Sequence, residues 1–191
     1  MTKIPQRQPW QLWSGDISDE VIDEIVTECR KIEPQRAWAS GKGGKKDTKD
    51  IRRSIIRWVN EVDGLRDLLW KYAEVANHNA FHVSVMPIGS VQYTEYIGGE
   101  GGFYDPHIDV NWFNNSTPYD RKLSITVQLS DPSEYEGGDF HFTAAENPDT
   151  EAMKRKGSVL VFPSYMVHAV KPVTKGTRKS LVCWFEGDRW R

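Results

Sequence analysis

Leu123-Ser-Ile-Thr-Val-Gln-Leu129 decides the fold class. Leu123, Ile125, Val127 and Leu129 leave one face of an extended chain and Ser124, Thr126 and Gln128 the other, the period of a strand with one face in a core. A half-buried strand ordinarily turns its polar face to water. These three residues carry no charge, so that face is read instead as lining a wet interior pocket. The same texture continues on both sides: short β-runs separated by Gly, Pro and Asp are expected near 81–86, 91–97, 104–110, 122–129, 138–142, 158–162, 167–172 and 178–186. Eight such strands suit a mainly β jelly roll, two facing sheets with a mouth at one end, rather than a parallel α/β fold.

Upstream the period changes. Ser18 reads as an N-cap followed by Asp19 and Glu20, and Val21, Ile22, Ile25, Val26 and Cys29 recur at helical spacing, which predicts a helix over about 18–32 with Ile17 stapled onto Ile22. Leu65, Leu68, Leu69, Tyr72, Val75 and Ala76 predict a second helix over roughly 62–77, and 51–59 reads as a strand. Both helices are expected to pack on the outer face of the larger sheet, giving helical support at 15–80 and a β core at 81–187 within a single domain, 1–191. Between them, residues 40–50 hold three glycines and four lysines with nothing apolar. Two readings stand for this stretch: a solvated connection, or a basic flap carrying Lys42, Lys45 and Lys46 over a substrate. The segments 131–138 and 144–157 read as a turn and an exposed loop.

Chemistry concentrates at Tyr104-Asp105-Pro106-His107-Ile108-Asp109. On a strand, His107 and Asp109 would leave the same face, and a second imidazole would complete the two-His-one-carboxylate set that holds Fe(II) and leaves other coordination positions open. His168 is the candidate. Ten residues beyond it Arg178 offers a planar guanidinium fork for the carboxylate of a diacid cosubstrate. A turn at Thr174-Lys-Gly-Thr177 would return the chain beside the His168 strand, with Arg178 opposite about residue 173. A His beside an Asp is more often a hydrogen-bonded pair than a metal site; the ordered context of strand, Gly-Gly turn, His168 and Arg178 favours the metal.

Composition limits the partners. Across 191 residues, 25 basic side chains against 27 acidic leave a net charge of −2, so no global field attracts nucleic acid or an anionic membrane. The first ten residues lack the apolar run of a signal peptide, and no stretch approaches the ~18–20 apolar residues of a membrane span, so a cytoplasmic monomer is expected. Two cysteines are too few for a disulfide scaffold. Eight Trp, seven Tyr and seven Phe suffice for both core and pocket walls.

Taken together, Tyr96, His107-Ile-Asp109, Arg121-Lys-Leu-Ser-Ile-Thr-Val-Gln-Leu-Ser-Asp-Pro-Ser-Glu-Tyr-Glu-Gly-Gly138 and His168-Ala-Val-Lys-Pro-Val-Thr-Lys-Gly-Thr-Arg178 resemble the Fe(II)/2-oxoglutarate-dependent dioxygenases, in particular the prolyl 4-hydroxylase branch and its PKHD-type relatives. The resemblance covers about residues 50–189. It implies a cupin-like double-stranded β-helix, a form of the jelly roll above. It implies iron on His107, Asp109 and His168, Arg178 on the distal carboxylate of 2-oxoglutarate, and Tyr96 lining the cosubstrate pocket or filling the core. Gln128 stands where oxygen-sensing relatives carry a tyrosine, and its amide can still donate to a carboxylate. Tyr104 is a candidate for the substrate pocket, as is Trp184, which either walls the pocket or fills the core. The implied reaction is hydroxylation of a prolyl residue in a protein or peptide, with O2 and 2-oxoglutarate consumed, succinate and CO2 released, and ascorbate as a candidate reductant. His78, His82 and His141 are expected to be ordinary.

Rival readings are a nucleic-acid demethylase of the AlkB type, a hydroxylase of a free amino acid or small molecule, and a jelly-roll module that binds metal or sugar without catalysis. The first is weakened by Trp184, where such relatives carry a second Arg, and by the near-neutral charge. Arg178 and the intact triad weigh against the last.

Overall fold

The computed structural model describes residues 8–37 and 51–190; the 40–50 loop with Lys42, Lys45 and Lys46 lies outside the described residues. In chain order the elements are β1 (Gln11–Trp13), α1 (Asp19–Arg30), β2 (Gln35–Arg36), β3 (Arg52–Arg53), β4 (Ile55–Trp58), α2 (Leu65–Ala76), β5 (Gly89–Ile97), β6 (Phe103–His107), β7 (Tyr119–Gln128), β8 (Tyr135–Gly137), β9 (Phe140–Phe142), α3 (Thr150–Lys154), β10 (Val159–Pro163), β11 (His168–Val170) and β12 (Val173–Asp188). Two antiparallel sheets face one another. The larger runs β1-β10-β7-β12-β5-β4-β2, with β8 on the flank of β12, and the smaller runs β3-β6-β11-β9. The fold is a mainly β jelly roll, as its strand texture predicts.

The two faces of the larger sheet differ because its strands alternate. Outward go Val91 and Tyr93 of β5, Leu123, Ile125 and Val127 of β7, Val159 and Val161 of β10, and Leu181, Cys183 and Phe185 of β12. They bury one cluster with Ile22, Ile25 and Cys29 of α1 and Leu65, Leu69, Ala73 and Ala76 of α2. Both helices therefore close the outer face, as expected from their spacing. Cys29 and Cys183 are free thiols inside this cluster, and burial pushes both up to about 12. Inward, Ser124, Thr126 and Gln128 are buried against the smaller sheet's side, so the polar face of β7 does look into the molecule. Among the described residues no helix is long and apolar enough to cross a membrane.

Several boundaries differ from expectation for local reasons. Residues 81–86 are not a strand: α2 runs on into a π-helical turn, Asn77–Phe81, and the Asn77 amide takes both backbone groups of Val83, at 2.9 and 2.8 Å. The 51–59 run splits, β3 joining the smaller sheet and β4 the larger. Within 131–138 lies β8, after a 3-10 turn capped by Asp131. The 144–157 loop contains α3, because Asp149 Oδ1 caps Ala152 N at 2.8 Å and Met153 is buried beneath.

The largest correction concerns 174–177. No hairpin forms there; β12 runs unbroken through it, between β5 and β7, so Arg178 belongs to the larger sheet while His168 belongs to the smaller. Gly176, with φ +69°, serves close approach rather than reversal, since a side chain there would collide with the Glu134 carbonyl oxygen before β8.

Glu95 ties the helical side to the sheet and was not legible beforehand. From β5 it accepts Arg30 Nη2 at 2.8 Å, Arg57 Nη1 at 2.8 Å and the Tyr93 hydroxyl at 3.0 Å, joining the end of α1 to β4 and β5. Burial raises its carboxyl, but hydrogen bonds from Arg30, Arg57 and Tyr93 outweigh that and hold it below the ordinary carboxylate range. Glu95→Ala should strand the largely buried Arg57 and cost ~3 kcal/mol in urea unfolding at pH 7. Since the folded-state pKa lies below the unfolded one, this stabilisation is present above the unfolded pKa and lost as pH falls through the folded pKa. Glu95→Gln should flatten that acid slope.

Candidate functional site

Two adjacent strands of the smaller sheet bring the imidazoles together. β6 and β11 pair antiparallel with His107 directly opposite His168, and the ring centroids lie 4.3 Å apart. The strand argument for Asp109 holds only in outcome. β6 ends at His107, and Asp109 lies beyond it, held by its own N–H donating to the Ser164 carbonyl at 2.9 Å. One nitrogen or oxygen from each of the three residues falls within 4.8 Å of the others.

The donor atoms are prepared for a metal. His107 Nδ1 donates to the Asp105 carbonyl at 2.8 Å and His168 Nδ1 to the Met166 carbonyl at 2.9 Å; a carbonyl can only accept, so each proton sits on Nδ1. Both Nε2 lone pairs then turn toward Asp109, at 3.6 Å from Oδ1 and 3.5 Å from Oδ2. Ser124 Oγ donates to Asp109 Oδ2 at 2.6 Å and lies 3.0 Å from Ser164 Oγ. Burial and the neighbouring His168 push His107 down to about 4, so it is neutral at neutral pH. Burial raises the Asp109 carboxyl, but His168, His107 and the Ser124 hydroxyl together hold it below its usual range, so it stays ionised. Two imidazole Nε2 atoms and the Asp109 carboxylate, turned toward one point, are a donor set that a divalent cation takes up. The N,N,O donors suit ferrous iron, and both cysteines lie in the outer core, away from this site.

The cavity between the sheets is lined by the three donor residues together with Tyr96, Tyr104, Arg178 and Trp184. Arg178 is 3% exposed, its guanidinium carbon 5.7 Å from the Tyr96 ring centroid, and none of the ion pairs among the described residues includes it. A buried guanidinium fork with no protein acid against it among the described residues is able to pair bidentately with a carboxylate. Trp184 is a cavity wall rather than outer core; its indole N–H is buried without a partner, and Arg121 lies 4.0 Å above its ring.

Gln128 does not line this cavity. Its amide nitrogen donates to the Ser130 carbonyl at 3.1 Å and the Tyr135 hydroxyl at 3.0 Å, so it braces β8. Lys42, Lys45 and Lys46 lie outside the described residues. Sequence reasoning missed Ser124 and Ser164 as supports of Asp109; the uncharged polar face of β7 was the available signal.

Residues 91–186 match the model of the 2OG-Fe(II) oxygenase superfamily. A PKHD-type hydroxylase of Colwellia psychrerythraea is 34% identical over 141 residues, 70% of this chain and 60% of that protein. One from Synechococcus sp. is 30% identical over 171 residues, 88% and 72% of the two. Against one from Gloeothece citriformis, 38% identical over 109 residues, coverage is 56% of this chain and 47% of that protein, so the chain spans about half to three quarters of the length of these three relatives. Among solved structures, a Pseudomonas putida prolyl-4-hydroxylase superposes with TM-score 0.66 at 21% identity, covering 95% and 94%. A Trichoplax adhaerens prolyl hydroxylase in complex with a hypoxia inducible factor peptide fragment gives 0.69 at 14%, covering 94% and 84%. These superpositions show the fold.

Ser124→Ala should free Asp109 Oδ2 and weaken divalent-metal binding ~10-fold, read by titration of the metal-free protein, while thermal unfolding shifts little.

Proposed function

Because this chain belongs to the 2OG-Fe(II) oxygenase superfamily, we propose that it hydroxylates a C–H bond of a prolyl residue in a protein or peptide, consuming 2-oxoglutarate and O2 and releasing succinate and CO2. The observation that carries the reading is the buried, acid-free Arg178 facing the same cavity as His107, Asp109 and His168. In this reading the three side chains hold Fe(II) through both Nε2 atoms and a carboxylate oxygen, while Ser124 keeps Oδ2 engaged and favours Oδ1 as ligand. Bound there, the metal and the ketoacid supply the redox chemistry, in which one oxygen atom enters succinate and the other the substrate C–H bond.

The remaining work is positional. Arg178 takes the distal carboxylate of 2-oxoglutarate in its fork, with Tyr96 against the guanidinium, and so fixes the cosubstrate's reach toward the metal. Phe140, Phe162, Val170 and Val182 line the cavity and exclude water from the reacting atoms. Trp184 offers a flat apolar wall and an unspent N–H donor, a surface suited to a saturated ring next to a main-chain carbonyl. The PKHD-type relatives and the prolyl hydroxylase neighbours support the peptide substrate, and the near-neutral charge favours it over nucleic acid. Ascorbate would serve as reductant for turnovers that miss the substrate.

With Fe(II) and 2-oxoglutarate in air the protein should release succinate, and His168→Ala should abolish it. Arg178→Leu should raise the KM for 2-oxoglutarate roughly 10- to 100-fold, the factor for losing a charge-assisted hydrogen bond. Mass spectrometry of a peptide library after reaction in labelled O2 should find one added oxygen on proline. Oxygen on another residue would overturn the prolyl assignment, and absence of succinate under all conditions the whole reading.

A further inference from the structure

The two metal-binding imidazoles are steadied differently. His168 lies inside the sheet, its ring 4.8 Å from Phe162 and 5.4 Å from Phe140. His107 stands where β6 stops, and its side chain keeps more exposure, 16% against 7%. The bond from its Nδ1 to the Asp105 carbonyl sets the tautomer and holds one edge of the ring, leaving its face to the neighbours. The ring plane is set by Tyr104, stacked on it with centroids 3.5 Å apart and planes 16° from parallel. A phenol standing on a strand would itself tilt unless something backed it.

Arg52 backs it. Arg52 and Tyr104 are cross-strand partners on β3 and β6, and the guanidinium carbon lies 4.5 Å from the Tyr104 ring centroid. The fork is anchored elsewhere: Nε donates to Ser54 Oγ at 2.8 Å, and Nη2 donates to Gln92 Oε1 at 2.8 Å. Gln92 sits on β5 of the larger sheet, where the same Oε1 accepts the Thr94 hydroxyl at 3.2 Å. No acid among the ion pairs of the described residues holds Arg52, so its charge is spent on the ring and on these neutral acceptors. Guanidinium, phenol and imidazole form one column running from the larger sheet to the metal ligand of the smaller.

We propose that Arg52 is a positioning residue for the metal centre, setting the plane of His107 through the ring of Tyr104. The proposal rests on the metal-centre reading above and not on the identity of the substrate. Among the described residues His107, at the end of β6, lacks the Phe140 and Phe162 packing that holds His168, and the column supplies a fixed plate in its stead.

Co(II), which is stable in air and reports its coordination through visible d–d bands, is the probe, titrated into the metal-free full chain. Arg52→Met, unbranched and of similar reach, should weaken Co(II) binding ~10-fold and alter the d–d bands. Tyr104→Phe, which keeps the plate, should leave affinity and bands as in the wild type. Tyr104→Leu should weaken binding, and adding Arg52→Met to it should weaken it no further, because both act through one column. Ser54→Ala, which touches neither cavity nor metal, should give a smaller loss in the same direction and serves if Arg52→Met does not fold. Unchanged Co(II) affinity and bands in Arg52→Met and Ser54→Ala, or losses for Arg52→Met and Tyr104→Leu that multiply in the double variant, would overturn the proposal. Failure of the wild type itself to bind Co(II) would reject the metal centre along with it.

Discussion

Everything in the site depends on the ladder between β6 and β11, which sets His168 directly opposite His107. Two imidazoles at 4.3 Å and a buried carboxylate at 3.5–3.6 Å are an expensive group to assemble, since each loses hydration. Backbone geometry meets that cost. Carbonyls two residues before each histidine fix the tautomers, and the Ser164 carbonyl with the Ser124 hydroxyl fixes the carboxylate. The Asp109 carboxylate faces both Nε2 atoms.

The second requirement is a sheet with two unlike faces. β12 carries Leu181, Cys183 and Phe185 toward the helices and Arg178, Ser180, Val182 and Trp184 toward the cavity, so one strand supplies both the main core and a cavity wall. With β12 central between β5 and β7, Arg178 is held on a rigid element rather than a loop, and it meets the ligands across the gap between sheets. A hairpin at 174–177 would have placed it beside His168 in the plane of the smaller sheet.

Much of this was legible. The alternation at Leu123–Leu129 announces a strand with a buried polar face, and the helical spacing of Ile22, Ile25 and Cys29 announces a helix against a sheet. Gln128 was misplaced because the pattern says which face a side chain leaves, not which neighbour intercepts it; Tyr135 does so from β8. The run 81–86 looked extended because Val83 and Val85 are apolar and alternate, whereas the Asn77 amide captures the backbone there and strand pairing never begins. Glu95 and Arg52 carried no local signal, since each acts on a partner far away in the chain.

Local order in the chain thus determined the strand texture, the helix faces, the His-x-Asp pair and the candidate third imidazole that the structure brings to it, because side-chain period and residue chemistry are properties of short stretches. Which sheet each strand joined was decided only on folding: the split between β3 and β4 at Ser54, the unbroken course of β12 past Gly176, and the cross-sheet reach of Arg178 all depend on which backbone groups find partners far away in the chain. Pairing of that kind is a competition among distant edges, and no window of neighbouring residues contains its outcome.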